Sequence, residues 1–125
     1  VRRARTNTPL QALTLLNDPV YAEMALAFAA RILAESPSTD PAARIDHAFK
    51  LTVARPAAPA EVEHLTTFLR VQTDRYADDP SAAQKLVEGC ARVYKPPTSL
   101  DAIELAAWVH VGSILLNLDE TVTKE

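Results

Sequence analysis

Glycine is nearly absent from this 125-residue sequence: Gly89 and Gly112 stand alone against nine prolines. Tight hairpin turns need residues that accept positive φ, so an all-β fold is disfavoured. Phosphate-cradling loops need clustered glycines, which two scattered ones cannot supply. Cysteine is represented by Cys90 alone. No disulfide can form within the chain, and neither a Cys-x-x-Cys zinc pair nor a Cys-x-x-Cys-His haem attachment is encoded. The compartment stays open, because a reducing cytosol and export of a thiol-poor protein both fit. No apolar run approaches the ~18 residues that span a bilayer. Charge of one sign is lacking too: 13 basic and 16 acidic residues leave a net −3, no field to gather nucleic acid. Arg2, Arg3 and Arg5 come nearest to a basic arm. With no aromatic residue among them they read as a solvated lead-in.

What is present is helix punctuation. Prolines 9, 19, 41, 59 and 80 fall where an apolar period of about 3.6 begins, and three of them follow aspartate, at Asp18-Pro19, Asp40-Pro41 and Asp79-Pro80. An aspartate oxygen accepts a free backbone N–H at a helix start, and proline at the first position gives up no bond. Helices are therefore expected at about 9–16, 19–35, 41–54, 59–78, 80–94 and 100–117. The second buries Tyr21, Met24, Ala25, Phe28, Ile32 and Leu33; the third presents Ile45, Ala48, Phe49, Thr52 and Val53 on one face. The fourth carries Val62, Leu65, Phe68, Leu69, Gln72 and Tyr76 from a start capped only by Ala58. The fifth uses Ala83, Leu86, Val87, Cys90 and Tyr94. In the sixth, Ala106 to Leu118 shows only His110, Ser113 and Asn117 as polar side chains. A helix apolar nearly all round is one surrounded by others. The expected fold is an all-α irregular bundle of five to seven helices, packed around this C-terminal helix.

Tests for chemistry return little. His47, His64 and His110 fall on three different helices without a His-x-x-x-His pair, so no metal site is predicted. No Gly-x-Ser-x-Gly elbow occurs, and Cys90 lacks a neighbour that would lower its pKa, which makes it a small core residue. Paired carboxylates such as Glu61 and Glu63 sit where a helix dipole favours them. Two sets stay open. His110, Ser113 and Asn117 share one helix face by their spacing, either as a polar groove for a ligand or another domain or as core hydrogen bonds. Arg5, Asn7 and Gln11 are left over after Thr8, Asn17 and Asp18 are assigned to caps and turns, and form a candidate interdomain or interaction surface. No catalytic or cofactor-binding residue is assigned.

Three stretches carry a resemblance. Arg5-Thr6-Asn7-Thr8-Pro9-Leu10-Gln11-Ala12-Leu13-Thr14-Leu15-Leu16-Asn17-Asp18-Pro19 is the longest. Ala48-Phe49-Lys50-Leu51, Ala54-Arg55-Pro56 and Pro59 with Glu61 follow, and Ala106-Ala107-Trp108 with Ile114-Leu115-Leu116-Asn117-Leu118-Asp119-Glu120 closes the set. Together they resemble the C-terminal domain, domain of unknown function 1553, of the large planctomycete cytochrome c-like proteins. Ala54 replaces an expected glycine and Ala58 an expected Thr or Ser. The resemblance implies a long exported parent, extracytoplasmic at the periplasm or cell surface, with any haem c on another domain and none on this chain.

Val1 stands where an initiating methionine would be, and the expectation is that residues 1–125 form one helical domain at the end of a longer multidomain protein. Its first expected role is a structural and docking module packed against upstream domains of the same chain, with no nucleic acid and no membrane span. A free-standing helical adaptor for a partner protein, or part of an enzyme site completed upstream, are the alternatives. An exposed apolar patch near the N-terminal helix would favour the first.

Overall fold

A computed structural model describes residues 18–36, 38–53 and 55–124, with side chains described as far as Leu118. Five helices are placed: α1 Pro19–Glu35, α2 Pro41–Thr52, α3 Pro59–Asp78, α4 Pro80–Cys90 and α5 Ala102–Lys124. Among the described residues there is no strand, so the chain is all-α. The helix expected at 9–16 lies outside the described residues.

The aspartate–proline starts do what their chemistry requires. Asp18 accepts from the amides of Val20 and Tyr21, Asp40 from Ala43, and Asp79 from Ala82. Asp101 caps α5 through the Glu104 amide at 3.0 Å, so this helix begins at Ala102 rather than Leu100 and continues past Asn117 to Lys124. Ala58 offers α3 no side-chain cap. Glu61 compensates by accepting from the Ala58 amide at 2.8 Å, which is half of a capping box. The same carboxylate takes both Arg55 Nη atoms at 2.9 Å, and the guanidinium lies 5.1 Å from the Phe49 ring centre. Asp46 completes the corner by accepting from the Ala57 amide at 3.2 Å. The Arg-Pro stretch is thus a clamp on the turn from α2 to α3.

Helix α5 is the hub and contacts all four others. Every residue from Leu105 to Leu115 is buried, and Trp108 is the largest side chain sealed inside. It packs most extensively against α1, and composition explains the approach. Ala22, Ala25 and Ala29 on α1 are buried, and Gly112 meets that surface. A Cβ at Gly112 would sit 3.3 Å from Phe28 Cδ2 and 3.4 Å from the Ala25 carbonyl oxygen. Small residues on both helices let the backbones come close.

Three sequence expectations need correction. Met24, expected inside, is 50% exposed, and Leu26 is sealed in the core instead. The helix expected to reach Tyr94 stops at Cys90, because the amides of Arg92, Val93 and Tyr94 all turn to one carboxylate, Glu23 of α1. The helix expected to reach Ala54 ends at Thr52 with Val53 as its cap.

Candidate functional site

Of the two candidate sets, Arg5, Asn7 and Gln11 lie outside the described residues. His110, Ser113 and Asn117 do fall along α5, with His110 and Ser113 buried and Asn117 half-buried. Their surroundings differ. His110 Nε2 lies 2.7 Å from the Tyr76 hydroxyl of α3, with the two rings stacked at a centroid distance of 5.7 Å. Three residues on, the Ser113 carbonyl accepts from the Tyr21 hydroxyl of α1 at 2.6 Å. The hub helix is therefore tied to α3 by the His110 side chain and to α1 by the Ser113 backbone carbonyl, through partners 34 and 92 residues away in the chain.

Electrostatics define what the His110 cluster can do. Burial, helped by the nearby Arg75 charge, pushes His110 down to about 4. Its Nδ1 is buried without a hydrogen-bond partner, and a neutral imidazole tolerates that far better than a cation would. Burial pushes the Tyr76 hydroxyl and the Cys90 thiol up. A nucleophilic thiol needs a lowered pKa and a base poised near neutrality. Here the environment moves both groups the other way, and the cluster holds a neutral hydrogen bond between helices. Among the described residues no three His, Cys, Asp or Glu side chains gather closely enough to hold a metal ion. No described helix is long and apolar enough to cross a membrane.

Of the concavities that open elsewhere, two bear on function. A cleft of about 430 Å³ lies between the starts of α2 and α5, lined by Thr39, Arg44, Leu69, Thr73, Glu104 and Trp108 among others. Arg44 donates to Glu104 at 2.7 Å, its side chain only 12% exposed. This pair anchors α2 to the hub, and His110 does not line the cleft.

The second is a shallow apolar face of about 450 Å³ beside the start of α1, lined by Val20, Glu23, Met24, Ala27, Val93 and Tyr94. Val20, Met24 and Val93 are three of the four large hydrophobic side chains exposed among the described residues, Val93 at 88%. Glu23 fixes the far wall. Its Oε2 accepts from the Arg92 amide at 3.1 Å and from Val93 and Tyr94 at 2.5 Å each. These backbone bonds, led by Tyr94, lower its pKa against the opposing effect of burial. Among the described residues Glu23 is the one carboxylate lining the face, and it is thus occupied by these amides.

Sequence reading missed Glu23, Arg44 and Val93. Only Glu23 left a signal: it is the single charged residue between Pro19 and Ala30 in an otherwise apolar helix. The others depend on partners far away in the chain.

Over residues 1–69 the chain matches the family described as protein of unknown function (DUF1553), PSD1. No curated protein and no solved structure matches. The matched stretch contains the N-terminal motif, the Asp18-Pro19 start and the Arg55–Glu61 clamp, whereas Ile114 to Glu120 lie beyond it. Spanning more than half of the sequence and including its longest motif, the match places this chain in the DUF1553 family.

Proposed function

We propose that this chain is a structural docking module that packs against the preceding part of a longer parent protein. The observation that carries the reading is the open apolar face at the start of α1, where Val20, Met24 and Val93 project on a backbone already fixed by Glu23. Exposed apolar side chains grouped on one face mark a contact surface. This one adjoins the end of the chain that carries the family motif. In this reading Arg5, Asn7 and Gln11 belong to the polar seam with the upstream domains. The parent is an exported, cytochrome c-linked protein in the periplasm or at the cell surface, by resemblance to the planctomycete proteins, and any haem sits on another of its domains.

Hydrogen exchange tests this in the parent. Amides of residues 5–27 and 91–95 exchange more slowly in the full-length protein than in the 125-residue chain if the face is covered there. Equal exchange in both overturns the docking role.

A further inference from the structure

After Cys90 the chain leaves α4, and residues 91–100 cross to the start of α5 as a strap with no fully buried member. We infer that this strap is a latch held shut by the Glu23 carboxylate and able to open while the five helices stay folded. On the reading that the open apolar face is the docking surface, the latch decides whether that face has its second wall.

Hydrogen bonding to the strap is concentrated at one atom. The amides of Arg92, Val93 and Tyr94 all donate to Glu23 Oε2. Successive amides converging on one oxygen make a concave seat for an anion, and an ionised acceptor strengthens each bond. Apart from these, the Ala91 amide closes α4 on the Val87 carbonyl and the Leu100 amide reaches the Pro97 carbonyl at 3.3 Å. No salt bridge among the described residues involves the strap, and Pro96 and Pro97 have no amide to donate. Without the carboxylate, no hydrogen bond among the described residues would hold the strap to α1.

Packing adds little to that hold. Val93 projects into solvent, and Ala91, Tyr94 and Leu100 rest on the core only half-buried. Farther along, Pro96, Pro97 and Leu100 line a cavity of about 220 Å³ with Val87 of α4 and Leu105 of α5. Atoms that face a void forgo dispersion contacts. A segment with so few buried contacts opens at a lower cost than the core does. The consequence falls on the open face, because Val93 and Tyr94 line it opposite Val20 and Met24. When the strap lifts, α1 keeps its own apolar side chains and loses the wall across from them. A partner that touches both walls favours the closed strap, and the closed strap favours the partner by the same factor.

Trypsin reads the latch at one bond. Arg92 is the strap's one tryptic site, since Lys95 is followed by Pro96 and trypsin does not cut before proline. Cleavage at Arg92 follows the population of the opened strap. In the 125-residue chain its rate is expected to be independent of urea below the unfolding transition, because a local opening exposes little surface. Losing an acceptor shared by three amides speeds the cut about tenfold or more in Glu23→Ala. Ile45→Val, made in the sealed core of α2, lowers the urea midpoint read from Trp108 emission and leaves the cut unchanged, because the opened strap leaves that core intact. Cleavage that rises with urea in step with global unfolding overturns the latch, and needs only the unsubstituted chain to be seen. So does a Glu23→Ala rate equal to that of the unsubstituted chain, or an Ile45→Val rate raised as much as that of Glu23→Ala. Latch and docking fail separately. A local cut at Arg92 with equal exchange of residues 19–27 in the parent and the 125-residue chain keeps the latch and removes the docking role. A cut that follows global unfolding, with slowed exchange of those residues in the parent, removes the latch and keeps the docking role.

Discussion

The chain carries one tryptophan and one methionine, and they mark two regions built from similar side chains with opposite outcomes. Around Trp108 on α5 every neighbour from Leu105 to Leu115 is sealed. Around Met24 on α1 the side chains of Val20 and Val93 project outward. Both regions belong to apolar helices, and α1 itself has both faces, with Ala22, Ala25 and Ala29 against the hub and Met24 turned away. Residue type does not separate them. What separates them, among the described residues, is whether another helix lies opposite.

The comparison can be broken most forcefully at its sealed end. Trp108→Ala removes the largest buried side chain, and a loss of about 3–5 kcal/mol is expected in denaturant unfolding. A much smaller loss would mean that the hub is less tightly packed than described.

Acid is the next lever. His110 is held at about 4 against an ordinary 6.5. Above 6.5 the imidazole is neutral whether the chain is folded or not. Between 6.5 and 4 the unfolded chain takes a proton that the folded one refuses, so stability falls as pH falls through that window. The full loss below it is on the order of 3 kcal/mol. Unfolding curves of the unsubstituted chain and of His110→Gln, recorded across this range, isolate the contribution from the carboxylates common to both. The variant has the shallower slope.

The contact between α1 and α5 is sharpened by Gly112→Val. Its added atoms run into Phe28 and the Ala25 carbonyl, and a cost of about 1–3 kcal/mol follows from forcing extra methyl groups into a filled space. Val71→Lys provides the smallest effect. Val71 is 54% exposed on α3 and away from the open face, and a change within about 0.5 kcal/mol is expected in the same unfolding assay.

The sequence made the helix starts legible because their chemistry is local. Asp18, Asp40 and Asp79 each bond an amide two or three residues on, so the signal and its partner sit together. The hub was legible for a related reason: a helix with so few polar side chains can only be surrounded. The end of α4 was not. Its true stop is set by Glu23, about 70 positions earlier in the chain, and no local rule reports that. Met24 was misplaced because periodicity says which residues are apolar, not which of them another helix will cover. Arg55 and Glu61 lie six apart across a helix boundary, outside the three- and four-residue spacings that reveal a pair. Tyr76 was read as core, but its bond to His110 spans two helices and needs the fold to appear. Arg5, Asn7 and Gln11, singled out by elimination, lie outside the described residues, and solution measurements bear on them directly.

The proposed docking role is tested most directly by titrating the separately expressed upstream part of the parent into this 125-residue chain and following the heat. The account predicts saturable one-to-one binding, weakened at least about tenfold, or 1.4 kcal/mol, when Arg5→Glu and Gln11→Glu are combined, and unaffected by Val71→Lys. No saturable heat, or binding indifferent to the seam substitutions, would contradict it.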